Sequence, residues 1–253
     1  MDQTRHLIVG RGEVGSAIEE CLHLSNVKVD WVDLDHDIEG AYPYLHICIP
    51  WSDTFCDTVM ARIKKHTPIV CIIHSTVLPG TTDHIQAQLQ TPVAYSPVRG
   101  RHGQMVHDLI EFIKYVGAPN IESAQAAANA LFECGFTVKV TSNARVLELG
   151  KLFQTTYTGL LVAWAQEMQG YCDELDVNFI ESQLLNEMPN TPKVIHRPGF
   201  IGGHCIIPNT VILDEIAEGL FTQVIRTSNE LVGSYQGEQP QKRLWPIPYR
   251  QNR

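Results

Sequence analysis

The stretch "HLIVGRGEVGSAI", residues 6–18, decides the fold, because it joins an apolar run to the start of a helix through a glycine-rich turn. Gly10, Gly12 and Gly15 have the spacing G-x-G-x-x-G. The first glycine permits a tight turn, the second lets a pyrophosphate approach the backbone, and the third packs the helix on the strand. The helix N-terminus adds N–H groups and a positive dipole end, which attract phosphate. The predicted loop contacts to a dinucleotide are Gly10, Gly12, Glu13, Val14 and Gly15.

The next predicted strand runs into an acidic segment, "DWVDLD", residues 30–35. Asp33 stands where a carboxylate accepts hydrogen bonds from the adenosine ribose of a bound dinucleotide. The same charge repels a 2′-phosphate, and no arginine follows closely. The sequence therefore predicts NAD as the cofactor in preference to NADP.

The first half of the chain alternates short apolar runs with helix-like stretches, as in a parallel sheet that helices cover on both faces. The alanine-rich segment 121–134 is the clearest helix, and Gly135 is its predicted C-terminal cap. We predict an α/β fold, a Rossmann-type doubly wound parallel sheet followed by a small all-helical domain with one long helix. The predicted strands are residues 6–9, 27–32, 45–49, 69–74, 93–95, 113–116 and 137–140.

Further cofactor contacts are predicted where the third and fourth strands end, in "ICIPWSD" and "IIHSTVLPGTT". Ligands of open α/β sheets bind at the carboxyl ends of the strands. Pro50, Ser75 and Thr76 are therefore cofactor-binding candidates. Capping of the following helices, by Ser52 and Thr81, is the alternative role for the hydroxyl groups in these loops.

One long helical stretch begins at Ser142, its predicted N-cap. Apolar and small residues recur every three or four positions, and no proline interrupts the run before Pro189. So long a helix exposes more apolar surface than a small domain covers, so we predict a homodimer through residues 142–176. A second helical segment is predicted over about 208–235. The predicted domains are residues 1–140 for NAD binding, 141–235 for dimerisation and catalysis, and 236–253 as an extended tail.

The composition limits the partners. At 253 residues and 44% hydrophobic, the chain is long enough for an enzyme, and its formal net charge of −9 disfavours nucleic acid and acidic membranes. No stretch reaches the roughly 20 apolar residues of a membrane span, and no signal peptide is visible. The seven cysteines form no disulfide framework. We predict a soluble cytoplasmic protein with no nucleic-acid or membrane partner.

A thiol follows two adjacent glycines in "PGFIGGHCIIP", residues 198–208. Two residues without side chains allow a ligand to approach the backbone closely and hold Cys205 at its rim. A buried structural cysteine is the alternative. His196, His204 and Cys205 lack the paired spacing of a metal site, so no metal is predicted.

Several of these segments, in this order and near this spacing, resemble the NAD-dependent nucleotide-sugar dehydrogenases, which include UDP-glucose and UDP-N-acetylmannosamine dehydrogenases. The resemblance covers residues 6 to about 232. It implies that Cys205 attacks an aldehyde intermediate to give a thiohemiacetal, which hydride transfer to NAD turns into a thioester that water cleaves. It also implies that Lys151 stabilises charge on the reacting oxygen. The segments are "GRGEVG", "VDLD", "CIPWSD", "STVLPGTT", "SPVRGRHG", "ELGKLFQTTYTGLLVAWAQEM" and "GGHCIIP".

Three positions depart from the family pattern. Val98 stands in place of a glutamate, Thr155 in place of an asparagine, and Asn209 in place of an aspartate. Valine cannot move protons, and asparagine is no general base. We also expect no C-terminal domain of the kind that helps to bind the nucleotide sugar. The candidate catalytic residues are Cys205, Lys151, Thr155 and Asn209.

Three functional hypotheses follow. The first is an NAD-dependent oxidoreductase that acts on an alcohol or aldehyde group of a small anionic substrate, such as a nucleotide sugar or a hydroxy acid. The second is a β-hydroxyacid-type dehydrogenase, which shares the long-helix plan and needs no reactive cysteine. The third is a catalytically degraded NAD-binding protein with a binding or regulatory role.

Overall fold

The fold is described from a computed structural model, over residues 5–101, 103–186, 196–202, 205–217 and 219–233. The predicted tail 236–253 and the loop residues Gly203 and His204 lie outside these residues. The chain divides into two compact units, residues 1–152 and 153–253. The division falls inside a helix, and the domain boundary near residue 140 stays a prediction.

The first unit contains short, apolar strands. They are β1 (Arg5–Val9), β2 (Lys28–Val32), β3 (Tyr44–Ile47), β4 (Val70–Ile73), β5 (Val93–Tyr95), β6 (Lys114–Val116) and β7 (Val138–Val140). Five of them form a parallel sheet in the order β2-β1-β3-β4-β5, and β6 pairs with β7 in parallel. All four side chains of β4 are buried, as expected of a central strand that helices cover on both faces. Each predicted strand is confirmed, with its ends within two residues.

Helices follow most of these strands. They are α1 (Glu13–Leu24), α2 (Phe55–His66), α3 (Thr81–Gln88), α4 (Met105–Glu111) and α5 (Ile121–Glu133). The Asn120 side chain caps α5 by accepting from the Ser123 N–H at 2.8 Å. Gly135 ends the helix with φ +85°, as predicted for a C-terminal glycine. The buried apolar residues of the first unit form two clusters, one containing Ile8 and Ile72 and the other containing Leu7 and Ile73, as the alternation of side chains along strands requires.

The sheet reverses its order at β1. The chain passes from β1 outward to β2 and then returns to β3 on the other side of β1. The carboxyl ends of β1 and β3 therefore flank a topological switch point, where open α/β sheets bind their ligands. The predicted α/β doubly wound fold is confirmed, and the glycine loop lies at this point.

The long predicted helix is α6 (Ala144–Leu175). Asn143, and not Ser142, supplies its capping oxygen, which accepts from the Val146 N–H at 3.1 Å. The prediction of Ser142 was therefore wrong by one residue, because a cap oxygen must reach the first free N–H groups of the helix.

The rest of the second unit is also helical. It contains α7 (Phe179–Ser182), a 3₁₀ turn (Leu184–Asn186), α8 (Ile206–Asp214) and α9 (Leu220–Gly233). The predicted second helical segment thus comprises two helices. Asp214 marks the break, where its Oδ1 accepts from the Thr222 hydroxyl at 2.6 Å and its Oδ2 pairs with Arg226 at 2.5 Å. Among the described residues, none of the helices combines the length and apolarity that crossing a membrane requires.

Candidate nucleotide-binding and catalytic sites

Two glycines of the loop lie so close to backbone carbonyl oxygens that a side chain would not fit. Gly10 has φ +92°, and a Cβ on it would lie 2.9 Å from the Cys48 carbonyl oxygen. A Cβ on Gly15 would lie 1.9 Å from the Gly10 carbonyl oxygen. Both positions therefore need glycine for the protein's own packing. Gly12 differs, because nothing lies within 4 Å of the place its Cβ would take.

The open space beside Gly12 lies at the start of α1. Gly12 is the N-cap residue, so no cap side chain covers the N–H groups of the first turn. Glu13 is exposed and Val14 packs partly against the core. A helix N-terminus of this kind, with room beside its backbone, suits a phosphate group.

Asp33 lies beside the same loop. Its Oδ2 accepts from the backbone N–H of Arg11 at 2.8 Å, and its Oδ1 accepts from the N–H of Leu34 at 2.8 Å. The structure thus brings together the loop and the carboxylate that the sequence pattern singled out. The loop residues and the acidic residue form one constellation at the carboxyl ends of β1 and β2.

Arg11 was missed by the sequence reasoning, because the fingerprint leaves its position unspecified. Its guanidinium pairs with Glu19 at 2.7 Å and lies 4.5 Å from the centre of the Trp31 ring. The ion pair raises the pKa of Arg11 further. The side chain is thereby held against α1 and β2, beside Asp33.

The other predicted cofactor residues follow β3 and β4. Pro50 is exposed, Thr76 is half-buried, and Ser75 is buried. The Ser75 hydroxyl donates to the Ile47 carbonyl at 3.4 Å. Ser75 thus ties the ends of β3 and β4 together, whereas Pro50 and Thr76 keep part of their surface accessible.

Lys151 lies in the first unit, on α6. Its ammonium donates to the Val98 carbonyl at 2.8 Å. The position that carries a glutamate in the family pattern therefore contacts the lysine here through its backbone. One turn earlier on α6, the buried Glu148 accepts from the N–H of Gly80 at 2.6 Å and from the N–H of Thr82 at 3.0 Å. Burial raises the pKa of Glu148 in spite of these bonds.

Val98 ends a row of three carbonyl oxygens, those of residues 96–98, which we call the carbonyl row. The first carbonyl accepts from His74 Nδ1 at 2.7 Å and from Lys114 Nζ at 3.2 Å. The second lies 3.5 Å from Lys114 Nζ. Lys114 is 3% exposed, and desolvation lowers its pKa to about 7.

His74 also ends a buried histidine chain, which consists of His6, His46 and His74. His6 Nδ1 lies 2.8 Å from His46 Nε2, and His46 Nδ1 lies 2.9 Å from His74 Nε2. At the other end, Cys134 Sγ lies 3.7 Å from His6 Nε2. Burial lowers the pKa of all three imidazoles, that of His6 to about 4. The rings are therefore neutral at pH 7.

The histidine chain has one direction. The Ser96 carbonyl can only accept, so His74 must donate from Nδ1 and accept at Nε2. His46 and then His6 must follow the same pattern, since each neutral ring has one donor and one acceptor. The thiol of Cys134 can then donate to His6. Every ring nitrogen is satisfied in this arrangement.

Three candidate catalytic residues lie in the second unit. Cys205 is half-buried at the N-cap position of α8, and its carbonyl accepts from the N–H of Asn209 at 3.1 Å. Asn209 Nδ2 donates to the hydroxyl of Thr155 on α6 at 3.1 Å, and both side chains are buried. Two of the three positions that depart from the family pattern, Thr155 and Asn209, therefore bond to each other. Lys151 belongs to the first unit.

The segment that precedes Cys205 is held by two carboxamide side chains that the sequence analysis missed. Gln166 Nε2 donates to the Gly199 carbonyl. Asn229 Oδ1 accepts from the N–H of Ile201 at 2.6 Å, and its Nδ2 donates to the Ile201 carbonyl at 3.3 Å. Within the described residues, no group of three or more His, Cys, Asp or Glu side chains is arranged to hold a metal ion.

The first unit has a doubly wound α/β fold with a glycine loop at its switch point, and the second unit is helical. Residues 145–231 match the model of the UDP-glucose/GDP-mannose dehydrogenase family, central domain. The chain is 32% identical over 186 residues to a UDP-N-acetyl-D-mannosamine dehydrogenase of Methanocaldococcus jannaschii, covering 70% of this chain and 43% of that protein. It is 32% identical over 193 residues to an NDP-N-acetyl-D-galactosaminuronic acid dehydrogenase of Ralstonia solanacearum, covering 68% and 44%.

Solved structures show the same fold. The structure of UDP-D-ManNAc dehydrogenase from Pyrococcus horikoshii matches with a TM-score of 0.80 at 20% identity, over 91% of this chain and 69% of that one. A 3-hydroxyisobutyrate dehydrogenase of Mycobacterium tuberculosis matches with a TM-score of 0.66 at 11% identity, over 93% and 94%. These likenesses concern the fold alone.

The resemblance predicted from the sequence is confirmed: the chain is a relative of the nucleotide-sugar dehydrogenases. It spans less than half the length of the two relatives named above, 43% and 44%.

Proposed function

We propose that the protein is an NAD-dependent oxidoreductase of the nucleotide-sugar dehydrogenase type, acting on an alcohol or aldehyde group of a small anionic substrate. The observation that carries the proposal is the joint geometry of the glycine loop and Asp33. Gly12 leaves space beside a helix N-terminus, and the carboxylate lies against the same loop. Phosphate and ribose are the groups that such a pair binds.

The residues fit a bound NAD. In this proposal the loop and the first turn of α1 hold its pyrophosphate, and Asp33 holds its adenosine ribose. Pro50, Ser75 and Thr76 line the continuation of the site along the sheet edge. NAD supplies the acceptor for the hydride that leaves the substrate carbon.

Lys151 and Cys205 are the proposed chemical groups. An ammonium group favours negative charge on a reacting oxygen, which is the role we assign to Lys151. A thiolate can add to an aldehyde carbon and form a C–S bond, while the carbonyl oxygen takes up a proton, to give a thiohemiacetal. We assign that addition to Cys205.

The pair Thr155–Asn209 limits this chemistry. A hydroxyl and a carboxamide do not take up a proton near neutral pH. Neither side chain can therefore serve as the general base for cleavage of a thioester by water. This observation favours the second candidate function, an NAD-binding protein with a binding or regulatory role that has lost the complete reaction.

Two measurements separate the candidates. An oxidoreductase produces NADH, detected by absorbance, in a screen of nucleotide sugars and small hydroxy acids, and Lys151→Ala loses the signal. Cys205→Ser loses it only in the thiohemiacetal route, whereas a β-hydroxyacid-type enzyme retains it. A binding protein shows heat of NAD binding in calorimetry, abolished by Asp33→Ala, and no NADH with any substrate. Absence of NAD binding would refute both.

We also propose a homodimer through residues 142–176. In this range α6 exposes large side chains at intervals of four and seven residues, which places them along one side of the helix. A second copy of the chain would cover them. Light scattering at micromolar concentration tests this, with a dimeric mass expected and a monomeric mass for Trp164→Glu. These side chains are Val146, Phe153, Tyr157, Trp164, Tyr171 and Leu175.

The seven cysteines are present as reduced thiols. We propose that the protein works in the reducing cytoplasm, where thiols persist. Labelling with a maleimide in intact cells, followed by mass analysis, tests whether the thiols remain reduced there.

A further inference from the structure

We propose that Lys114 is a positioning residue for Lys151, which it reaches through the carbonyl row of residues 96–98. Lys114 holds the first two carbonyls of the row, at 3.2 Å and 3.5 Å, and Lys151 holds the third at 2.8 Å. The inference deepens the proposed function, because Lys151 is the ammonium group on which that function rests.

The row joins two cations through one short segment of backbone. The N–H of Ser96 donates to the Ile73 carbonyl at 2.8 Å, and its carbonyl accepts from His74 at 2.7 Å. The segment is thus fixed to β4 on one side. A change in the hydrogen bonds from Lys114 to the first two carbonyls therefore alters the position of the third carbonyl, which accepts from Lys151.

Lys114 is placed to respond to pH. Among the described residues its ammonium donates only to carbonyl oxygens, and its Nζ lies 6.0 Å from the centre of the Phe136 ring. Without a carboxylate at hydrogen-bond distance, a buried ammonium is costly. The charge of Lys151 adds to that cost. The titratable and charged groups that act on Lys114 are Cys21, Cys48, Arg99, Lys151, His46 and His74.

The two protonation states differ in what they do to Lys151. With Lys114 charged, two ammonium groups share one row of carbonyls and repel each other. With Lys114 neutral, the row serves a single ammonium, and Lys151 is held more tightly. Burial places the pKa of Lys114 at about 7, so this change falls near neutral pH.

The histidine chain supports this arrangement from the other side. His74 contributes a neutral donor to the first carbonyl, and its direction is fixed by that bond. The rings stay uncharged well below neutrality, because burial lowers their pKa values. Lys114 is thus the group of this buried network that titrates near pH 7.

The test is an NMR titration of protein labelled in lysine at Cε and Nζ, from pH 5.5 to 10.5. Lys114 is expected to titrate with a midpoint near 7, and Lys151 to show an inflection at the same pH. The variant Lys114→Met removes that inflection. The control Lys139→Met keeps it, because Lys139 is an exposed lysine on β7 that pairs in register with Tyr115, next to Lys114.

A Lys114 midpoint above pH 10 overturns the proposal, and so does an inflection of Lys151 that persists in Lys114→Met. Should that variant fail to fold, the wild-type midpoint and the shared inflection still decide. The titration needs neither NAD nor substrate, so its failure is distinct from failure of the proposed function. Where NADH is formed, kcat of Lys114→Met loses its inflection near pH 7 while KM is retained.

Discussion

Asn209 donates its side-chain amide to the hydroxyl of Thr155 at 3.1 Å, in a buried pair that joins α8 to α6. The resemblance to the nucleotide-sugar dehydrogenases implies an asparagine in place of Thr155 and an aspartate in place of Asn209. A neutral pair therefore stands where the family pattern implies a site that could carry a charge. Replacing Asn209 alone therefore tests the pair through its effect on the free energy of unfolding.

Replacing Asn209 with aspartate introduces a carboxyl group beside the Thr155 hydroxyl at a position that is 3% exposed. Burial raises the pKa of a carboxyl group. The folded protein then binds more protons than the unfolded chain above about pH 4, so Asn209→Asp loses stability as pH rises through the folded pKa. We expect a loss of about 1–3 kcal/mol at pH 8 relative to pH 5 in urea unfolding.

The matched control is Asn209→Leu, which removes the bond without adding a titratable group. Its loss of unfolding free energy relative to the wild type is expected to be the same at pH 5 and pH 8. Equal pH dependence in the two variants would contradict the assignment of a buried, neutral pair.

Gly12 and Gly15 separate cofactor binding from folding. A methyl group at position 12 meets no atom within 4 Å, so Gly12→Ala changes the unfolding free energy by less than about 0.5 kcal/mol. The added methyl group occupies the space proposed for the pyrophosphate, and NAD affinity in calorimetry falls roughly tenfold or more.

In Gly15→Ala the methyl group would lie 1.9 Å from a carbonyl oxygen, so the free energy of unfolding itself falls by about 1–3 kcal/mol. Unchanged NAD affinity in Gly12→Ala would refute the loop assignment.

The buried histidine chain makes the protein sensitive to acid. His6 has its pKa lowered from 6.5 to about 4, so the unfolded chain binds more protons than the folded protein below pH 6.5. The stabilisation is complete above pH 6.5 and is lost as pH falls toward 4, by roughly 3 kcal/mol for this residue. His46 and His74 shift in the same direction and add to the loss.

Urea unfolding at pH 7, 6, 5 and 4 measures this loss. His6→Gln keeps a donor and an acceptor in the histidine chain, and it should reduce the dependence of the unfolding free energy on pH. His84→Gln, at an exposed position on α3, should leave it unchanged. If the unfolding free energy falls equally with pH in His6→Gln and in the wild type, the buried His6 ring does not cause the loss of stability.

The tautomers of the chain can be observed directly. Ser96 accepts at one end, so each of the three rings carries its hydrogen on Nδ1. Nitrogen-15 NMR at pH 7 should give three rings with protonated Nδ1 and unprotonated Nε2. One ring with the hydrogen on Nε2 would break the inferred direction.

Much of the first unit could be predicted from the sequence, because buried parallel strands such as β4 are continuous apolar runs between turns. The glycine loop and Asp33 were predictable for a related reason, since their chemistry fixes their spacing. The cap of α6 was placed one residue early, because Ser142 and Asn143 are both good caps and only geometry chooses between them.

The histidine chain and the environment of Lys114 could not be predicted in this way. His46 lies on the same face of the sheet as His6 and His74 only because of the register between β1, β3 and β4, and that register comes from tertiary packing. An isolated histidine in an apolar strand has many explanations. The signal that was available is the recurrence of a histidine in or beside three strands that turn out to be neighbours.

The direction of the histidine chain also places one exchangeable hydrogen at the centre of the sheet. The His46 ring lies between two other rings and is fully buried, and its Nδ1 hydrogen is donated to His74 Nε2. This hydrogen can be replaced by deuterium only when the strands that carry the chain separate. The lifetime of that one hydrogen in heavy water therefore reports how often the centre of the sheet opens.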